Sequence, residues 1–245
     1  MKNLKLILLI LNVFFIKSSF SNVHILPYNN SMAALNFIKP FLPKNPVIVE
    51  AGAFDGTDSL RMSNFWPAAT LHCFEPVPEI NNWLKGKVKF AKNITTYQFA
   101  LSEKNGFAKF YVSKTPEGNL YGSSSLLPAK EHINYYPFNF KKEILVPTIT
   151  LDQWVKKYNI PSVDFLWLDM QGYELPTLKA SPNILKKVKV IYTEAINIEA
   201  YLGQYTYKDI KSWLEKNGFK MIAKDVREFS KEQWYCNCIF IKNKN

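Results

Sequence analysis

Val47-Ile48-Val49-Glu50-Ala51-Gly52-Ala53-Phe54-Asp55-Gly56 is the stretch on which the remaining assignments hang. A β-branched apolar run that ends in an acid and a glycine-punctuated turn is the pattern of a buried parallel strand handing its backbone to a ligand before a helix begins. Gly52 and Gly56 permit positive φ and close approach, and a helix opening near Asp55 to Ser59 adds unpaired N–H groups. Charge narrows the ligand. A dinucleotide turn has G-x-G-x-x-G spacing and stays neutral, so that a pyrophosphate can sit on it. Here the spacing is G-x-x-x-G, with Glu50, Asp55 and Asp58 around it.

Three carboxylates repel a phosphate and attract a cationic ligand that has none, and S-adenosylmethionine is such a ligand. The bland alternative is a structural turn in which Asp55 or Asp58 caps the helix.

Upstream, Lys2 and Lys5 precede an apolar run from Leu6 to Ile16, then Lys17 and small residues, with Ser19 and Ser21 where a signal peptidase reads. Met1 to Ser21 therefore reads as a secretory signal. The run is short of the about 20 apolar residues of a spanning helix, and a retained membrane anchor is the alternative. The chain is then exported, periplasmic or membrane-associated, or a cytosolic catalytic domain held by its anchor. Residues 22–245 have the length of a single α/β domain.

The net charge of +11 comes from scattered lysines, with Arg61 and Arg227 the only arginines. Nucleic-acid readers favour clustered arginine forks, so a solvated lysine surface and no nucleic-acid partner are expected. Cys73, Cys236 and Cys238 have no framework or metal spacing and read as packed thiols, and no metal is expected. Asn29-Asn30-Ser31 and Asn93-Ile94-Thr95 match glycosylation sequons.

Downstream, the pattern alternates strands and helices. Ser31 caps a short helix running toward Pro43. Strands are expected at Leu71 to Pro76, Thr95 to Leu101, Gly106 to Ser113, Val163 to Asp169, Val188 to Glu194, Phe219 to Ala223 and Tyr235 to Ile241. Helices follow Asp55, Pro78, Thr150, Tyr173 and Thr206, and Gly218 stops the last. Residues 115–147 break the pattern with glycines, serines and the aromatic run Tyr135 to Phe140, and read as an insertion capping the carboxyl edge of the sheet. The expected fold is Rossmann-like α/β with a mostly parallel sheet and helices on both faces. Glu50, Glu75, Asp169 and Glu194 each end a strand, which puts four acids in register at the edge where such sheets bind ligands.

Val-Glu50-Ala-Gly52-Ala53-x-x-Gly56, Phe74-Glu75-Pro76, Ala100-Leu101-Ser102 before Gly106, Ser124-Ser125-Leu126, Thr150-Leu151-Asp152, Asp169-x-Gln171-Gly172-x-Glu174-Leu175 and Gly218-Phe219 occur in an order that resembles the FkbM family of S-adenosylmethionine-dependent methyltransferases. The resemblance implies a seven-stranded methyltransferase sheet with an antiparallel last strand. It also implies a cofactor site at Glu50, Gly52, Ala53, Gly56, Glu75, Pro76, Ala100 and Leu101, with Gly52 at the methionine part and Glu75 at the ribose. The family often has lysine at Trp167 and glutamate at Gln171. An amide cannot serve as a base, so Asp169 and Glu174 are the candidate catalytic residues. Glu194 is a weaker substitute, and His132, in the insertion, could reach the site as a base, although a single loop histidine is more often simply exposed.

The activity implied is O-methylation of a sugar or other hydroxylated small molecule, possible membrane contact coming through the leader. Two other readings are an exported ligand- or glycan-binding module derived from a methyltransferase, and a nicotinamide-dependent reductase.

Overall fold

The structure is a computed structural model that describes residues 23–228, 230 and 234–243, so the leader lies outside the described residues. Strand β1 (His24–Ile25) precedes helix α1 (Ser31–Ile38), capped by Asn30 rather than Ser31, through its side chain on the Ala33 N–H. Then come β2 (Val47–Ala51), α2 (Thr57–Phe65), β3 (Thr70–Phe74), α3 (Pro78–Val88) and β4 (Ile94–Tyr97). β5 (Ala100–Leu101), β6 (Gly106–Lys114) and β7 (Asn139–Ile149) follow. The chain continues with α4 (Leu151–Lys157), β8 (Phe165–Leu168), α5 (Glu174–Lys179), α6 (Pro182–Leu185) and β9 (Val190–Ile196). It closes on α7 (Tyr207–Lys216), β10 (Phe219–Lys224), β11 (Arg227–Glu228) and β12 (Trp234–Lys242).

The main sheet runs β10-β12-β9-β8-β2-β3-β4, seven strands, with the two-residue β1 and β11 added at its margin. Pairings among β9, β8, β2, β3 and β4 are parallel, and β12 runs antiparallel between β9 and β10. Neighbouring strand residues feed opposite cores. Val49, Leu166 and Ile191 pack with Trp154, Leu178 and Leu214 of α4, α5 and α7, whereas Ile48, Phe165 and Val190 pack with Leu35, Met62 and Leu84 of α1, α2 and α3. Period-two alternation with both phases apolar is what a sheet covered on both faces requires. Thr150 and Thr206 cap α4 and α7 as their sequences indicate.

Two expectations change. Thr95 to Leu101 is not one strand: the chain leaves the main sheet after Tyr97, and Ala100–Leu101 pairs with β7 in a separate three-stranded sheet. The insertion is shorter than expected, because residues 139–147 belong to β7, antiparallel to β6. Residues 115–138 are the hairpin's long connection, and that length hides the pairing from local pattern. Cys236 and Cys238 are free, fully buried and side by side, their sulfurs 3.3 Å apart.

Candidate active site

Register places the site. Ala51 pairs with Phe74 on one side and Leu168 on the other, and Leu168 pairs with Thr193, so Gly52, Glu75, Asp169 and Glu194 come next at one level of the sheet edge. Glu50 lies two residues deeper, opposite Cys73 and Trp167, so three acids and a glycine share the rim rather than four acids. Glu50 is buried against the Ser59 hydroxyl of α2, and burial pushes its carboxyl up to about 7.

Gly52 has φ +83, and a Cβ there would run into the Asp169 carbonyl oxygen. Its N–H and that of Ala53 both donate to the Phe74 carbonyl, at 3.1 and 3.0 Å. The bend is therefore held by the flanking strands instead of offering free N–H groups. Gly56 also has positive φ, +82, but its open side faces Leu84 at 2.7 Å, which seats α2 against α3. Ala53 is buried in the same core. Of the expected cofactor residues, Gly52, Glu75, Pro76, Ala100 and Leu101 line the cavity at this edge, while Glu50, Ala53 and Gly56 stand behind it. Asp55 and Asp58 are engaged with Lys87 and Arg61. Exposed pairs of this kind stabilise by under about 1 kcal/mol, but they remove the charge from the turn. The cavity's carboxylates are Glu75 and Asp169.

Glu75 is nearly fully buried, and desolvation lifts it to about 8 although its Oε1 accepts the Val77 N–H at 2.8 Å. Around it the walls are apolar, with Ile80, Phe99, Leu101 and Phe110. Phe54 and Tyr121 also line the cavity, their rings 6.4 Å apart. Phe54 has φ +45, a conformation costly for a bulky residue, and its ring lies 3.7 Å from where a Cβ on Gly122 would stand. Sequence patterning gave neither ring a role, since Phe54 fills an unspecified position of the Gly52–Gly56 turn and Tyr121 stands in no motif.

Asp169 is partly exposed toward the cavity, and burial raises its carboxyl. Gln171 Nε2 donates to Asp169 Oδ1 at 2.6 Å and to Glu194 Oε2 at 3.2 Å. Burial and the nearby Asp169 push Glu194 well above the ordinary carboxylate range. Glu174 has a different place. Its Oε1 accepts the Met170 N–H at 2.8 Å and the Gly172 N–H at 3.4 Å, so it holds the turn, and it is absent from the cavity wall. His132 is buried, contrary to its expected exposure, among Tyr136, Phe138, Phe140 and Tyr201. Desolvation lowers it to about 4, so it is neutral at physiological pH. Its aromatic neighbours supply the burial, and those come from the same loop, from the start of β7 and from beyond β9. Among the described residues no cluster of three or more His, Cys, Asp or Glu is placed to hold a metal.

Residues 50–221 match the family model described as the methyltransferase FkbM domain. The chain is 31% identical over 188 residues to the 2-O-methyltransferase NoeI of Sinorhizobium fredii, with 75% of this chain and 76% of that protein covered. It is 26% identical over 220 residues to the methyltransferase sdnD of Sordaria araneosa, covering 79% and 80%. Among solved structures, magnesium protoporphyrin IX methyltransferase from Synechocystis, with bound S-adenosylmethionine, shares the fold at a TM-score of 0.50 and 13% identity, over 87% of this chain and 77% of that one. None of these relatives is a nicotinamide-dependent reductase or a binding module. The parallel sheet with its antiparallel β12, the ligand cavity at the carboxyl edge and the matched span agree: the chain is an S-adenosylmethionine-dependent methyltransferase and belongs to the FkbM family.

Proposed function

We propose that the enzyme methylates a hydroxyl oxygen of a sugar or another hydroxylated small molecule. S-adenosylmethionine supplies an electrophilic methyl on a sulfonium. The cavity suits that donor: apolar walls at Ile80 and Phe110 for a base, the buried Glu75 for ribose hydroxyls, and the Asp169 carboxyl with no phosphate-binding glycine turn for a cation. Gly52, Pro76, Ala100 and Leu101 complete the lining, with Glu50, Ala53 and Gly56 shaping it from behind.

Displacement at a methyl needs little more from the protein than alignment, but a hydroxyl acceptor must also lose a proton. Asp169 is the observation that carries this reading. It is the one member of the Asp169–Glu174 pair on the cavity wall, and desolvation brings its proton affinity toward that of a working base. Glu174 supports it by fixing the turn.

The cap supports this choice of acceptor. Tyr121, on the cavity wall, lies 4.3 Å from Phe138, which stacks within 2° of the Tyr136 plane at 5.6 Å. A strip of flat rings beside polar groups suits the C–H face of a sugar ring.

The test is labelled methyl transfer to a panel of sugars, phenols and amines. Label on a sugar or other hydroxyl oxygen, lost by about 100-fold or more in Asp169→Asn with S-adenosylhomocysteine affinity kept, is expected. Label on amines only, or full turnover in Asp169→Asn, overturns it. Met1 to Ser21 is assigned to export or membrane anchoring, outside the described residues. Mass spectrometry of the chain expressed from Met1 tests this. Loss of the leader, or an intact membrane-bound chain, supports it, and an intact soluble chain overturns it.

A further inference from the structure

The loop after β8 poses a problem of proton count. Gln171 Oε1 lies 2.7 Å from the Tyr201 hydroxyl, which lies 2.9 Å from the Ser123 carbonyl oxygen. On the other side, Gln171 Nε2 faces Asp169 and Glu194. A tyrosine hydroxyl has one proton to give. If Ser123 takes it, the hydroxyl must accept from Gln171, the amide turns over, and its oxygen faces two carboxyl groups that then need protons of their own. If Gln171 takes it, the amide keeps both N–H groups on the carboxyl pair, and Asp169 can stay ionised. Only the second arrangement leaves Asp169 able to accept a proton.

We propose that Tyr201 and Gln171 are positioning residues: the Tyr201 O–H fixes the Gln171 amide so that its N–H groups hold Asp169 aimed and in its proton-accepting form. The assignment presupposes that Asp169 takes the acceptor's proton.

Both arms are anchored independently of the carboxyl pair. The Gln171 carbonyl accepts the Ser125 hydroxyl at 2.8 Å, with Gln171 itself in the left-handed region at φ +55. The Tyr201 N–H donates to Gln204 Oε1 at 2.9 Å, and Tyr201 is fully buried. That burial, and the carboxylates Glu194 and Asp169 beyond, push the Tyr201 hydroxyl well above its usual range, so it keeps its proton. Glu174, Asp225 and Cys236 act on Glu194 through their charge, and Asp169 interacts in the same way with Glu50, Glu174, Tyr192 and Tyr201, so the surroundings are acidic or neutral. Among the described residues no ion pair engages Asp169 or Glu194, which leaves the Gln171 amide as the donor that offsets their charge.

The experiment is a pH titration, by carbon NMR, of the full-length chain carrying labelled aspartate and glutamate carboxyls, with Asp169→Asn identifying the resonance. In Tyr201→Phe the Asp169 carboxyl should titrate higher by about one pH unit, and in Gln171→Leu by at least as much. Gln171→Leu carries the test alone should Tyr201→Phe not fold. An Asp169 titration unchanged in the folded variants overturns the assignment, because a purely structural role would alter stability without moving that midpoint. The titration does not depend on turnover. If Asp169→Asn retains full methyl transfer, the base role falls, while the coupling is judged by the titration itself.

Discussion

At the Gly52 side of the sheet edge, the buried Glu75 leans on the main-chain N–H of Val77, whereas at the Gln171 side Asp169 and Glu194 meet across one side-chain amide. The first arrangement is built from neighbours in sequence. Glu75 accepts from Val77, two residues on, and the bend beside it hangs on Phe74. The second is assembled from four distant segments, contributing Ser123, Gln171, Glu194 and Tyr201. Main-chain donors cannot rotate or titrate, so they suit a donor that must be held the same way every cycle. A side-chain relay can respond to charge, which suits the half to which we assign the proton transfer.

Gly52 joins the two halves, and breaking it should have the largest effect. Gly52→Ala forces a Cβ toward the Asp169 main chain at a φ that L residues avoid. It should cost about 2–4 kcal/mol in urea unfolding and damage donor binding and proton transfer together. If only one suffers, the halves are less tightly joined than the bend implies. Glu174→Ala should come next. It strips the Met170 and Gly172 N–H groups of their partner and should cost about 1–3 kcal/mol, while Glu174→Gln, which keeps an acceptor oxygen, should lose less. Equal losses would mean that the charge of Glu174, not its bonds to the turn, is what matters.

A third test separates both halves from ordinary surface electrostatics. Glu50 at about 7, Glu75 at about 8 and Glu174 at about 7 all lie above their unfolded values. The native chain therefore binds more protons than the unfolded one above the unfolded carboxyl range. Stability of the ligand-free protein should be highest at acidic pH and fall as pH rises through about 5 to 8. A thermal melt that rises over that window would contradict the burial argument. Smallest of all, Asp55→Ala should change stability by under about 1 kcal/mol and donor affinity hardly at all, since Lys87 already holds that charge outside the cavity.

What could be read from the chain divides along the same line. Gly52, Glu75 and Asp169 each stand at the end of an apolar run, and register follows from which runs pair, so their convergence was legible. Asp55 and Asp58 read as part of an anionic cradle, but both are paired with cations outside the cavity. Arg61 stands three residues after Asp58, a helical spacing visible in sequence, but Lys87 reaches Asp55 only through the packing of α3 on α2. Tyr201 gave no local sign. Its hydroxyl meets Ser123 and Gln171 across the fold, and no periodicity encodes such a contact. His132 misled for a related reason, since part of the aromatic shell that buries it lies in Tyr201.

Calorimetric titration of S-adenosylmethionine into the full-length chain and its Glu75→Ala variant tests the placement of the donor most directly. Saturable binding in the wild type, weakened about tenfold or more in a Glu75→Ala protein that stays folded, is the predicted result. Equal affinity in the two proteins would contradict it.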